Sequence, residues 1–164
     1  MTRARDVASQ GGLVLLNTTT FTTQSNVSFD NIFTSAYRDY LITISGVGST
    51  DTFLSLRLRA NSVDTATNYN FQRDSSFGTT SSLTSFTSTT VFDASRISTS
   101  GFSSQMNIYT PQLAQITNVN TFGGQPAQLT NIVGSNSLTT QFDGFSIYPA
   151  SGTITGTIKV YGYK

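Results

Sequence analysis

Nowhere does this chain return its apolar residues at a helical period. Short segments alternate apolar and polar positions instead, and Gly, Asn, Asp and Ser separate them, which confines the chain to β structure. The last fourteen residues, "SGTITGTIKVYGYK", are the clearest case. Ile154, Gly156, Ile158, Val160 and Gly162 share one face of an extended strand, and Thr155, Thr157, Lys159, Tyr161 and Tyr163 share the other. Glycine at two positions of the apolar face leaves holes there. Something bulky is therefore expected against the backbone at Gly156 and Gly162, either from this chain or from a neighbouring one; the alternative is an internal bulge.

Equivalent patterns predict strands near 13–21, 27–29, 40–45, 52–60, 68–73, 83–92, 101–109, 115–122, 138–148 and 153–163. In "FLSLRLRA", Leu54, Leu56, Leu58 and Ala60 form one face and Phe53, Ser55, Arg57 and Arg59 the other. Breaks are expected at 45–51, 61–68, 121–128, where Gly123-Gly124 reads as a turn, and 133–137. "TSAYRDY" (34–40) reads as a single helical turn capped by Thr34 or Ser35. The expected fold is all-β, a jelly-roll-like antiparallel β-sandwich over residues 13–164. A short, charge-dense N-terminal arm over 1–12 ends in a Gly pair.

Composition decides whether such a pattern packs. The chain has 28 Thr and 23 Ser, but also 12 Phe and 7 Tyr spread along its 164 residues, enough to supply a core. Its longest apolar run, Leu13–Leu16, is too short for a signal-peptide core or a membrane span, so a soluble protein without a membrane partner is expected.

Chemistry is sparse. There is no His, Cys, Trp or Glu, and the eight acids are all Asp. Nucleophile systems that lean on a His base, Cys nucleophiles and zinc sites built on Cys or His all lack their residues. Two Asp could make a glycosidase pair, but Asp51, Asp64 and Asp74 sit in turn-like sequences, where Asp bonds its own backbone. No calcium loop occurs, and "DTATN" (64–68) reads as an Asx-type turn. No enzyme activity, cofactor or metal is expected. Nine Lys plus Arg against eight Asp give a net charge of +1, a poor phosphate track, so no nucleic-acid partner is expected. Arg57, Arg59 and Arg73 read as cross-strand partners for Asp or as interface contacts. Sugar binding by Tyr161, Tyr163 and Asn or Asp side chains stays open.

Four segments carry a resemblance. "SIYPASGTITGTIKVYGYK" (146–164), "VSFDNIFTSAYRDYLITISGV" (27–47), "LSLRLRANS" (54–62) and the leader "TRARDVAS" (2–9) resemble β-rich virion proteins of tailed bacteriophages, especially marine and cyanobacterial ones. The resemblance implies a jelly-roll-like domain, association as a homo-trimer, and a virion location after assembly in the host cytoplasm. Because the leader begins at Met1, the free-standing kind is expected: a capsid decoration or cement protein bound to the major capsid protein or another virion protein. A tail-fibre or receptor-binding component, with a host surface glycan as ligand, is the alternative. On this reading Arg3, Arg5 and Asp6 anchor the arm, and Arg57, Arg59, Tyr161 and Tyr163 lie at partner or subunit boundaries.

Overall fold

A computed structural model of the chain describes residues 12–164. Residues 1–11 of the expected arm, with Arg3, Arg5 and Asp6, lie outside the described residues. The elements among them are all strands: β1 (Leu13–Gln24), β2 (Val27–Phe29), β3 (Asp39–Gly48), β4 (Thr52–Ala60), β5 (Val63–Asp64), β6 (Tyr69–Phe77), β7 (Thr80–Thr89), β8 (Phe92–Ile97), β9 (Phe102–Tyr109), β10 (Thr117–Gln125), β11 (Gln128–Asn136), β12 (Gly144–Pro149) and β13 (Ile154–Tyr163). An eight-stranded sheet has the order β1-β13-β3-β9-β10-β11-β6-β7, and a five-stranded sheet has the order β2-β12-β4-β5 with β8 also on β4. The neighbours pair antiparallel throughout. The expected all-β, jelly-roll-like antiparallel sandwich is what the chain forms.

Alternation builds the core. From the large sheet, Tyr40, Ile42 and Ile44 (β3), Met106 and Ile108 (β9), Val119 (β10), Ile132 (β11) and Ile158 and Val160 (β13) are buried. Leu54, Leu56 and Leu58 (β4), Phe92, Ala94 and Ile97 (β8), and Phe145 and Ile147 (β12) are buried from the small sheet. Aromatic rings close one end: Phe29 stacks on Phe145 at 4.8 Å, and Phe33, from the β2–β3 connection, lies 5.7 Å from Phe145 and 4.6 Å from Tyr40. The buried Tyr40 hydroxyl donates to the Thr34 carbonyl (2.8 Å) and accepts from the Thr34 amide (2.6 Å), so the polar tip of a core ring pins that connection.

Several sequence expectations are corrected. Residues 34–37 form a turn closed by Tyr37 N–H donating to Thr34 C=O (3.2 Å), no helix follows, and Asp39 and Tyr40 already belong to β3. Gly123 and Gly124 are not a turn: both lie inside β10, and the chain reverses at Pro126-Ala127. A Cβ on Gly123 would lie 2.5 Å from the Ser103 carbonyl oxygen, so glycine there permits close approach of β9 rather than a reversal. The stretches read as breaks at 61–68 and 133–137 contain β5 and the end of β11, and 128–136 as a whole is a strand. The run predicted at 83–92 is two strands, β7 and β8, in different sheets, and 138–143 precedes β12 without being part of a strand.

The C-terminal glycines are approached by the chain's own residues. Gly156 faces Gly46 of β3, where a Cβ would come within 2.3 Å of the Ser45 carbonyl oxygen, beside a register shift in β1 between Phe21 and Gln24. Gly162 lies under the ring of Tyr37, 2.4 Å from the place a Cβ would occupy.

Candidate functional site

Charged side chains concentrate on the outer face of the small sheet, where β4 turns Arg57 and Arg59 away from the leucine core. Arg59 Nε donates to Asp30 Oδ1 (2.7 Å), and the same guanidinium bonds Asp64 and the Ser62 carbonyl. Burial opposes its charge, but the hydrogen bonds to Asp30 and Asp64 outweigh burial and raise its pKa. With its side chain only 11% exposed, Arg59 is committed to the fold. Arg57 donates to the Thr90 carbonyl (3.0 Å), lies 3.9 Å from Asp64 and sits over the Tyr148 ring. Arg73 crosses from β6 to bond Asp93 of β8, with Phe53 and Phe86 against its guanidinium at 4.1 and 4.8 Å. These arginines serve as partners for Asp within the chain.

The remaining acids among the described residues accept from backbone amides or a hydroxyl. Asp39 accepts from Thr110 N–H (3.0 Å), Asp51 from Thr99 N–H (3.2 Å), Asp143 from Asn61 N–H (2.8 Å), and Asp74 from the Ser81 hydroxyl (2.8 Å). Each carboxylate holds a turn, a strand end or a neighbouring strand.

The outer face of the large sheet is different in kind. Strand register places Leu15, Tyr161, Leu41, Asn107, Asn120 and Val133 in one row across six strands, and Thr18, Lys159, Thr43, Gln105, Phe122 and Asn131 in the next. A polar ladder crosses this face: Tyr163 Oη donates to Asn107 Oδ1 (2.8 Å), Asn107 Nδ2 to Asn120 Oδ1 (3.0 Å), and Asn120 Nδ2 to Tyr109 Oη (3.3 Å). Beside it, three apolar side chains stand in water: Phe122 is 54% exposed, Leu129 55% and Val133 57%. Leu129 and Val133 flank Asn131, the residue opposite Phe122, so both are its diagonal neighbours on the same face. A depression of about 580 Å³ adjoins this cluster, lined by Phe102, Ser103, Gln105, Phe122, Gly124 and Leu129. A second, of about 430 Å³, shares Ser103 and runs over Thr43, Thr157, Lys159 and Tyr161. The arrangement suits docking of a broad surface, with apolar contact on one side and amide and phenol hydrogen bonds on the other.

The residues expected at partner boundaries therefore do not form one surface. Tyr161 and Tyr163 belong to this outer face, whereas Arg57 and Arg59 lie on the opposite side of the sandwich. Sequence reading passed over Phe122, Leu129 and Val133. The signal was present in the alternation: "NVNTFG" puts Phe122 in phase with Asn118 and Asn120, and "QLTNIVGSN" puts Leu129 and Val133 in phase with Asn131 and Ser135.

No protein-family model matches the chain, and no curated protein does. Among solved structures, the chain is similar to a galectin from Caenorhabditis elegans, at 10% identity over 88% of this chain and 95% of that one, with a TM-score of 0.42. It is also similar to a fructosyltransferase from A. japonicus, at 9% identity over 99% of this chain and 28% of that one, with a TM-score of 0.41. The fold assignment rests on the strand pairing itself.

Proposed function

We propose that this chain is a non-enzymatic structural protein of a bacteriophage virion, and within that class a decoration or cement protein attached to the outer capsid shell through its N-terminal arm and its large sheet. The observation that carries the docking half of this reading is the cluster of Phe122, Leu129 and Val133, each more than half exposed on a sheet face that is otherwise mostly polar. A face that keeps such groups in water gains free energy when a partner covers them, by about 25 cal/mol per Å² of apolar area. The virion half rests on the resemblance of the leader and the C-terminal strand to phage virion proteins.

The test is co-sedimentation of the purified full chain with undecorated capsids and, separately, with susceptible cells. Decoration predicts saturable capsid binding at a stoichiometry set by shell symmetry. It also predicts loss of that binding in a Phe122→Ser, Val133→Ser double variant that stays folded. Binding to cells and not to capsids would overturn decoration in favour of host recognition, for which the exposed Tyr163 and the half-buried Asn107, Asn120 and Tyr109 offer hydrogen-bonding groups suited to a glycan.

A further inference from the structure

The two long edges of the large sheet, β1 and β7, carry neither a charged residue nor a proline. Natural sheets commonly guard such edges with both, because a free edge presents unpaired N–H and C=O groups to any passing strand. β1 is interrupted by register shifts at Leu15/Asn17 and Phe21/Gln24, which blunt it. β7 runs without interruption from Thr80 to Phe86. Its hairpin closes tightly: Gly78, at φ +57°, and Thr79 form a two-residue turn between the paired Phe77 and Thr80. Hydrogen-bonded and non-bonded pairs alternate from there, so the backbone groups of Thr80, Ser82, Thr84 and Phe86 turn toward β6. Those of Ser81, Leu83 and Ser85 turn outward.

We propose that β7 is a self-association edge, on which two copies of this chain pair antiparallel about a two-fold axis at Leu83. In that register the three outward N–H and three outward C=O groups of each copy all find partners, Leu83 on Leu83 and Ser81 on Ser85. The Leu83 side chain, 68% exposed in the single chain, meets its own copy across the axis. Neutral hydroxyl residues flank it, so self-pairing sets no like charges opposite each other. A seven-residue edge contact is smaller than the roughly 1,200 Å² of a stable interface. The expected dimer is weak, with a Kd on the order of 0.1 mM.

The inference needs no virion and is tested on the isolated full chain by sedimentation velocity from low micromolar to about 1 mM, where a dimer of this strength is well populated. Ser81→Lys with Ser85→Lys places like charges opposite each other across the axis and should weaken the dimer at least tenfold. Ser81→Lys with Ser85→Asp places opposite charges there, shares with the first variant the exchange of the Ser81–Asp74 hydrogen bond for a Lys–Asp contact within one chain, and should dimerise at least as well as the parent. A parent that stays monomeric throughout would overturn the proposal. So would a dimer or trimer whose mass is indifferent to both double variants.

Discussion

Gly162→Ala tests how the chain closes its last strand. The new methyl would begin 2.4 Å from Cγ and Cδ1 of Tyr37 and 3.0 Å from Cδ2. Carbon pairs are most favourable near 3.5–4.0 Å, so the ring must retreat by about 1 Å or more. Tyr37 packs edge-on against Tyr40 at 6.2 Å, and Tyr40 is fully buried, so retreat in that direction disturbs the core. Overpacking of this kind costs about 1–3 kcal/mol. Alanine recovers about 0.4–1 kcal/mol by restricting the unfolded chain. The net loss is about 1–2 kcal/mol, which in a chain of this size lowers Tm by roughly 2–8 °C. Urea denaturation of Gly162→Ala, Tyr37→Ala and the double variant forms a cycle. Without the ring the methyl has room, so the double variant should be no less stable than Tyr37→Ala alone, giving a coupling of about 1–2 kcal/mol. Additive losses, or an unperturbed Gly162→Ala, would mean that Tyr37 does not cover this glycine and that the hole serves something else.

Tyr69→Phe removes a hydroxyl that accepts from Leu58 N–H (2.8 Å) and donates to the Thr65 carbonyl (2.9 Å); the orphaned amide between the sheets should cost about 1–3 kcal/mol in urea denaturation. Arg59→Met leaves Asp30 and Asp64 facing each other without their shared cation, and should cost about 2 kcal/mol by the same assay, where an exposed surface pair would cost well under 1. Asp93 gives a pH test. Burial raises its pKa against the pull of Arg73, so the folded state favours the protonated acid. Its contribution to stability is full below the ordinary carboxylate range and is lost as pH rises through the raised value. The stability of the parent relative to Asp93→Asn should therefore fall as pH rises through that window and then level off; a difference that grows with pH would refute the assignment.

Alternation made the strands of the sandwich legible wherever one face was apolar and the other polar, as in β3, β4, β9 and β13. It failed where glycine stood for contact rather than reversal. Gly123 and Gly134 read as punctuation, yet a Cβ on Gly134 would lie 2.4 Å from the Cβ of Phe71, so its bareness seats a neighbouring strand's side chain. That is a tertiary fact, and spacing does not carry it. The split between β7 and β8 was hidden for a related reason. "TSTTVFDASRI" is strand-forming in composition throughout, and only a bend at Thr90-Val91, where the chain changes sheet, separates the two pieces. The candidate site was half legible. Tyr161 and Tyr163 were placed on the outward face correctly. The arginines of β4, also outward in phase, meet their aspartates only because β5 and the loop after β2 come back to them, and pairing of that kind is set by topology.

The two surfaces of the large sheet constrain each other. Pairing at β7 makes one continuous sheet, and seven inter-strand steps then separate β10 of one copy from β10 of the other. Twist of roughly 20° per step turns the two Phe122 clusters away from each other by about 140°. A β7 dimer therefore cannot lay both clusters flat on one shell; it presents them to different surfaces. If decoration and edge pairing both hold, a high concentration of the parent protein should bridge separate capsids and raise light scattering. The Ser81→Lys, Ser85→Lys variant should leave capsids dispersed, while Ser81→Lys with Ser85→Asp, altered at the same two positions of the outer face, should still bridge them. Should the first variant lose capsid affinity tenfold relative to the second while both remain folded, the two clusters act together on a single shell, and the sheet must be flatter across the β7 seam than ordinary strand twist allows.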